Sequence, residues 1–317
     1  MNKFNTYDLV ERYKKARYDM ENEAIPVSSS FKTIPGEDKE KVSIDMRNDY
    51  YTIIHNIEVG NFSDLDITIV CLVAQFKYVT AKQIYENLIL MGFETDESKV
   101  TNSINKLHRN QLVYLFRFVS PDGGKTAYRI VTLDKFGYQM AKQLEVPCNW
   151  SAFERVDPVD RIKKVLAGNQ IRNAYLKSGL NIEWLFSRKT IIDKNSGQVV
   201  KPSFFMRMND KDYCFEVVRK HEFWKQELID KLDRYIDIFG DNDFDCNVSF
   251  NGKPFIIFNG EDNEHNQDIY NLVKEKIADF EFAFTHDLLL FGKNFKHSLY
   301  KIYDSNAIEH LELPTEF

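Results

Sequence analysis

Cysteine is scarce in this sequence, and its four cysteines are scattered. They form no Cys-x-x-Cys pair, which argues against a zinc site. We therefore expect reduced thiols in a cytoplasmic protein. The four residues are Cys71, Cys148, Cys214 and Cys246. A Gly-x-x-x-x-Gly-Lys phosphate loop is also absent, which argues against nucleotide hydrolysis.

Long apolar runs are absent as well, so the sequence predicts no membrane span. The first twenty residues are charged and contain tyrosine, unlike a secretory signal peptide. Apolar and aromatic residues are nevertheless frequent, since 43% of the chain is hydrophobic and 25 residues are Phe. A chain of 317 residues with this composition is expected to form two domains, each with its own core.

The chain has fewer basic than acidic residues, 42 Lys and Arg against 48 Asp and Glu. The net charge of −6 argues against a protein coated in basic surface. The charge is unevenly spread, however. Between Lys99 and Lys142 there are eight Lys or Arg against two Asp, a balance of +6, whereas residues 241–317 hold fifteen acids against six bases, a balance of −9. We expect the basic stretch to face phosphate, and the acidic end to face solvent or a protein.

Composition along the chain predicts three parts. Residues 1–60 are expected to be an N-terminal extension, with a short amphipathic helix within residues 6–20 and a loose, proline-containing linker at residues 21–41. Residues 61–147 and residues 158–317 are expected to be the two folded domains.

Three successive helices are predicted in the first domain. Asp66–Lys77 is almost entirely apolar, as a buried first helix should be. Thr80 and Gln83 have the spacing of a capping box, which starts a second helix. A third helix is expected from Thr95 to Asn110. The apolar residues on its core face are Val100, Ile104 and Leu107.

A hairpin follows these helices, because VYLFRFV and KTAYRIV are joined by Pro-Asp-Gly-Gly. This order predicts a winged helix-turn-helix, which places its last helix in the major groove of double-stranded DNA and its hairpin, the wing, against the backbone. Donors and amides on the helix and wing suit base edges and phosphates. The predicted DNA-binding residues are Lys99, Asn102, Ser103, Lys106, Arg109 and Asn110 on the helix, and Lys125 and Arg129 on the wing.

The second domain has the order helix, three strands, helix, strand, helix, strand. This order predicts an α/β domain around a mixed sheet, so the whole chain is expected to be α+β or α/β. One loop is rich in metal-capable side chains, but its Asn-Gly-Glu-Asp-Asn sequence predicts a solvated turn. Those side chains are Glu261, Asp262, Glu264 and His265.

Three segments of this domain carry a family resemblance. They are KPSFFMRM, YCFEVVRK and KLDRYIDIF, in this order along the chain. They resemble the restriction-endonuclease-like core and, more narrowly, the replication-relaxation proteins of Gram-positive plasmids and phages, over about residues 64 to 292. The resemblance implies a winged helix joined to a nuclease-like core, and a role in a bacterial mobile element.

The resemblance also implies a metal site, from which this chain departs. Nucleases of this class hold Mg²⁺ between an Asp and a Glu, with a Lys close by. Here Ser203 stands at the Asp position and Val218 at the Lys position, and only Glu216 remains. A single carboxylate predicts an inactive core with no metal or other cofactor. Glu216 is then expected to pair with Arg207 or Lys220.

The leading hypothesis is a non-enzymatic, sequence-specific DNA-binding protein of a bacterial mobile element, acting in plasmid or phage replication, transfer or transcription control. Its partners would be double-stranded DNA, a second copy of the chain, and a protein bound through the acidic C-terminal domain. One alternative is a metal-dependent endonuclease or nickase that uses Glu216 and Mg²⁺. Another is a protein-interaction module, such as a phage-encoded inhibitor of a host enzyme.

Overall fold

The structure is a computed structural model that describes residues 23–43, 48–146, 148, 150–180, 182–187, 189–241, 243–305 and 307–311. The helix predicted within residues 6–20 lies outside them. The described residues divide into two compact units, of which the first lies within residues 34–166 and the second within residues 23–33 and 167–311. In the described parts of the chain, no helix has the length and apolar character needed to cross a membrane.

The first unit combines helices with one antiparallel sheet. Its helices are α1 (Tyr50–Glu58), α2 (Asp64–Phe76), α3 (Ala81–Leu90), α4 (Glu97–Arg109) and α5 (Lys135–Gln143). Its strands are β1 (Asp38–Lys41), β2 (Val79–Thr80), β3 (Val113–Val119) and β4 (Ile130–Leu133). The strand order is β1-β3-β4-β2. The buried apolar residues of α2, α3, α4, β3 and β4 form a single core.

Side-chain caps fix the starts of α2, α3 and α4. Ser63 forms a capping box in front of α2, and Asp96 caps α4. In front of α3, Thr80 Oγ1 accepts from the backbone N–H of Gln83 at 3.1 Å, and Gln83 Oε1 accepts from that of Thr80 at 3.2 Å. These caps satisfy backbone donors that have no partner within the helix. The three predicted helices are therefore present, with their starts within two residues of the predicted positions.

Two stretches of the first unit differ from the prediction. Asp38–Lys41 lies in the predicted linker but forms β1, which pairs antiparallel with β3. Its side chains are mostly exposed, so it lacks the apolar alternation by which a strand is found in a sequence. The second hairpin strand is shorter than KTAYRIV predicts, because β4 begins only at Ile130. Before it, Lys125 makes an isolated bridge to Val119.

The rest of the chain forms helices around a larger sheet. The helices are α6 (Val159–Lys177), α7 (Trp224–Phe239) and α8 (Asn263–Val273). The strands are β5 (Ile182–Ser187), β6 (Ile191–Ile192), β7 (Val199–Val200), β8 (Phe204–Met208), β9 (Lys211–Val217), β10 (Phe255–Gly260), β11 (Phe282–His286), β12 (Leu299–Ile302) and β13 (Ile308–Leu311). The fold is thus mixed α+β, as predicted.

The large sheet of the second unit has seven strands in the order β13-β12-β11-β10-β9-β8-β5. Strands β9, β10 and β11 are parallel, whereas the other neighbours are antiparallel, so the sheet is mixed, as predicted. The order helix, three strands, helix, strand, helix, strand is present up to β11, with the short pair β6–β7 inserted after β5. Strands β12 and β13 are additions that the sequence does not predict.

Helices cover both faces of this sheet. Phe258 of β10 belongs to a core that contains Leu232 of α7 and residues of α8. On the other face, the ring of Tyr175 in α6 lies 5.3 Å from that of Phe215 in β9. Because successive strand residues point to opposite faces, Glu216 at the end of β9 points toward α7.

Candidate nucleic-acid interface and the Glu216 cluster

Helix α4 presents three polar side chains on one exposed face. Lys99, Asn102 and Arg109 are exposed, and at 100° per residue they lie within about 80° of one another around the helix. Lys99 Nζ lies 3.8 Å from Asp96 Oδ2, but both groups are more than half exposed, so this pair is weak. The opposite face of α4 is buried and apolar, with Val100, Ile104 and Leu107 in the core.

Two of the residues predicted for this outer face are buried instead. Ser103 donates through Oγ to Asp66 Oδ1. Asn110 Oδ1 accepts from the side-chain amides of Asn48 at 2.8 Å and Asn56 at 2.9 Å. The prediction that Ser103 and Asn110 face DNA is therefore wrong. Both lie at the edge of the polar face, and the helix period alone does not show which side neighbouring elements cover.

Lys106 has a structural contact in addition to partial exposure. Its Nζ lies 2.7 Å from Asp66 Oδ2 and 2.7 Å from the Asn61 carbonyl oxygen. Burial opposes ionisation of Asp66, but the hydrogen bonds from Lys106 and Ser103 outweigh it, so the pKa of Asp66 lies below its usual value. Lys106 therefore anchors α4 to the start of α2, and only part of its charge is available to a ligand.

The hairpin of β3 and β4 carries the two predicted wing residues. Lys125 is about half exposed, and its Nζ lies 2.5 Å from Glu40 Oε2 of β1. Arg129 points to α4, where its Nη1 donates to Asn105 Oδ1 at 2.8 Å. At the hairpin tip, Gly123 has a φ of 83°, a conformation that favours glycine. Lys125 thus lies on the outer part of the hairpin, and Arg129 in the angle between hairpin and helix.

Arg117 is a candidate that the sequence prediction missed. It is only partly exposed, and its Nε is buried with no hydrogen-bond partner. Burial lowers the pKa of Arg129, and so does the nearby charge of Arg117. The two guanidinium groups therefore share one region of the surface. A signal for Arg117 was present, since it is the single charged residue of VYLFRFV.

Glu216 is held by two residues of α7. It is 1% exposed. Lys231 Nζ donates to Glu216 Oε2, and the hydroxyl of Tyr235 donates to Oε1 at 2.6 Å. The spacing of four residues places Lys231 and Tyr235 on one side of the helix. Burial and the neighbouring carboxylate of Glu216 raise the pKa of Tyr235 well above its usual value, so the phenol stays protonated.

The predicted partners of Glu216 are wrong. Arg207 makes a bidentate pair with Asp212 at 2.7 and 2.8 Å, because the two residues face each other in the register of β8 and β9. Lys220 Nζ lies 3.8 Å from Asp268 of α8. The correct partners could have been predicted from the sequence, since Lys231 and Tyr235 belong to the segment KLDRYIDIF.

The other two positions of the nuclease pattern supply no charge. Ser203 Oγ accepts from the backbone N–H of Val217 at 3.2 Å. Val218 is buried in the apolar core around α7. Glu216 therefore has one ammonium group and one phenol as neighbours, and no second carboxylate from these positions. Within the described residues, no three His, Cys, Asp or Glu side chains come together as metal ligands.

The loop predicted as a solvated turn is only partly exposed: Glu264 is exposed, whereas Glu261 and His265 are buried at the carboxyl end of β10. Glu261 Oε1 accepts from the backbone N–H of Thr33 at 3.1 Å and from its hydroxyl at 2.6 Å. The ring of His265 lies 4.8 Å from that of Trp224, and burial lowers the pKa of His265 to about 3. The prediction is therefore wrong for Glu261 and His265, and the segment that includes Thr33 covers Glu261. His265 is therefore a neutral, packed side chain.

Comparisons with known proteins do not assign this chain to a family. No family model matches the chain, and no curated protein matches it. Among solved structures, the crystal structure of protein VC1899 from Vibrio cholerae is similar over 80% of this chain and 56% of its own, at 9% sequence identity and a TM-score of 0.27. This chain thus spans little more than half of that protein. A TM-score of this size supports no argument about fold or function.

Proposed function

We propose that this chain is a non-enzymatic, sequence-specific double-stranded DNA-binding protein. In this proposal the first unit is a winged helix-turn-helix, α4 is its recognition helix, and the β3–β4 hairpin is its wing. The observation that carries the proposal is the exposed face of α4, where Lys99, Asn102 and Arg109 stand together while the opposite face fills the core.

The dimensions and chemistry of this face suit a major groove. Helix α4 has 13 residues, which corresponds to a length of about 20 Å, and the groove admits one α-helix. An amide such as Asn102 can read adenine, and an arginine such as Arg109 can read guanine or bind phosphate. Lys125 on the hairpin adds a half-exposed cation to the same unit. The local balance of +6 within an acidic protein favours an anionic ligand.

For the second unit we propose a restriction-endonuclease-like core that serves as a scaffold. The element order α6, β5, β8, β9, α7, β10 supports this proposal, as does the position of Glu216 at the end of β9. The absence of activity in the proposal follows from Lys231, because its ammonium group already occupies the position beside the Glu216 carboxylate that a metal ion would take. The role in a bacterial mobile element rests on the family resemblance alone.

Binding of a short random-sequence duplex at low salt tests the proposal. Fluorescence anisotropy should show binding by the wild type and a loss of at least about tenfold in the variant Lys99→Ala/Arg109→Ala, because two cations that can neutralise phosphates at low salt are removed. The matched control is Lys225→Ala/Lys301→Ala, which removes two exposed lysines of the second unit. Equal affinity of both double variants, or no binding by the wild type, would overturn the proposal.

A further inference from the structure

Two arginines lie side by side at the inner edge of the β3–β4 hairpin. Phe116 and Ile130 are partners in the antiparallel register. Arg117 follows the first, and Arg129 precedes the second, just before β4 begins. The two charges are close enough that Arg117 lowers the pKa of Arg129. Like charges held this close repel each other. A protein that keeps them together holds an unfavourable arrangement in its free state.

Within the residues that the structure describes, neither arginine forms an ion pair with a carboxylate. Arg129 has one hydrogen bond, to the neutral side chain of Asn105. Arg117 Nε is buried and unpartnered. The acid nearest in register is Glu40, which stands opposite Arg117 on β1, but its Oε2 is already engaged by Lys125. Lys125 therefore already balances the charge of this carboxylate.

The chemistry of the two side chains indicates what they can bind together. A guanidinium group is planar, stays charged, and binds phosphate oxygens through two parallel N–H donors. Two such groups side by side suit a compact anion with several oxygens. Burial around the pair strengthens its attraction for an anion, because the effective dielectric constant is lower there than in water.

We propose that Arg117 and Arg129 form a binding site for a single phosphate group of the DNA backbone, beside α4. The nature of the ligand rests on the proposed function, whereas the anion site itself does not. In this arrangement Asn105 positions Arg129, and the phosphate relieves the repulsion between the two arginines. Arg117 then raises the affinity for every DNA sequence equally and does not contribute to sequence preference.

Two variants separate binding from stability. Arg117→Gln should weaken duplex binding at least about threefold and lower the slope of log affinity against log salt by about 0.9, the value for one phosphate contact. It should also raise the melting temperature of the free protein, because the repulsion is gone. Arg117→Lys keeps the charge and the long stem but loses the paired donors, so its affinity should lie between the two. Lys301→Gln is the control for removal of one exposed cation.

Binding of inorganic phosphate is a second arm of the experiment, and it requires no DNA. At matched ionic strength, phosphate in place of chloride should raise the melting temperature of the wild type more than that of Arg117→Gln or Arg129→Gln. An equal rise in all three proteins overturns the anion site. Duplex binding that is unchanged in Arg117→Gln and Arg129→Gln overturns its role toward DNA and leaves the proposed function standing. If the wild type binds no duplex, the proposed function fails, and the phosphate arm alone decides whether the anion site exists.

Discussion

The ammonium group of Lys231 lies against the carboxylate of Glu216 at the carboxyl end of β9. Glu216 is almost completely buried, so it depends on this contact and on the phenol of Tyr235. A nuclease of the proposed ancestry would place a divalent cation beside the same carboxylate. In this chain a side chain supplies the positive charge, which links the folding of the second unit to the proposed absence of activity.

Removal of Lys231 should destabilise the protein. Lys231→Met leaves Glu216 buried without its cation, and the expected loss is about 3 kcal/mol, at the lower end for a broken buried pair because Lys231 is 18% exposed. The double variant Glu216→Gln/Lys231→Met removes both charges and should recover much of this loss. Urea denaturation of the wild type, both single variants and the double variant measures the coupling. Strictly additive effects would contradict the pairing.

Lowering the pH should weaken the contact between Lys106 and Asp66. The folded-state pKa of Asp66 is lowered below 3.8, so this carboxylate contributes stability that is complete from about one pH unit above 3.8 and is lost as the pH falls through the folded value. Lys106→Ala should cost about 1–2 kcal/mol at neutral pH, because Asp66 loses a partner. The difference between wild type and variant should shrink from about pH 5 to about pH 3.

Urea midpoints of the two proteins at both pH values test this point. Lys99→Ala serves as the control, since Lys99 is exposed and its removal should change stability by less than about 0.5 kcal/mol at either pH. A difference between wild type and Lys106→Ala that stays constant with pH would show that Asp66 does not depend on Lys106. This result also matters for binding studies. In Lys106→Ala, a lost DNA contact and a loss of stability would have the same effect on DNA binding.

Supercoiled plasmid should remain intact when it is incubated with the protein and Mg²⁺ or Mn²⁺. The reason is that Ser203 and Val218 supply neither a second carboxylate nor a lysine, and Glu216 is occupied by Lys231. Gel electrophoresis of the plasmid is the measurement, with Glu216→Ala as the diagnostic variant. Metal-dependent nicking by the wild type that disappears in Glu216→Ala would establish the endonuclease alternative.

Local signals in the sequence were enough to place most helices and strands. The capping box of Thr80 and Gln83 and the apolar spacing of Val100, Ile104 and Leu107 mark α3 and α4 without reference to the rest of the fold. Strand β1 escaped prediction for a physical reason. It adds to the sheet through backbone hydrogen bonds, and its exposed side chains carry no periodic apolar signal.

The candidate site was harder to predict, because partner choice depends on contacts between distant residues. Ser103 and Asn110 look like surface residues in the helix pattern, yet Asp66 and the asparagines near α1 bury them. Arg117 was overlooked because its importance comes from Arg129 across the hairpin. In each case the sequence showed the residue type but not the residue that it contacts in the fold.

We propose that α4 reads DNA sequence, and selection of bound sequences from a random duplex pool is the measurement that tests this proposal. The wild type should enrich a recurring motif. Asn102→Ala should enrich a motif with a relaxed preference at one position, because a base contact is worth about 1–3 kcal/mol of discrimination, while its affinity at low salt changes little. Recovery of no motif by the wild type, or of an identical motif by Asn102→Ala, Lys99→Ala and Arg109→Ala, would contradict the account.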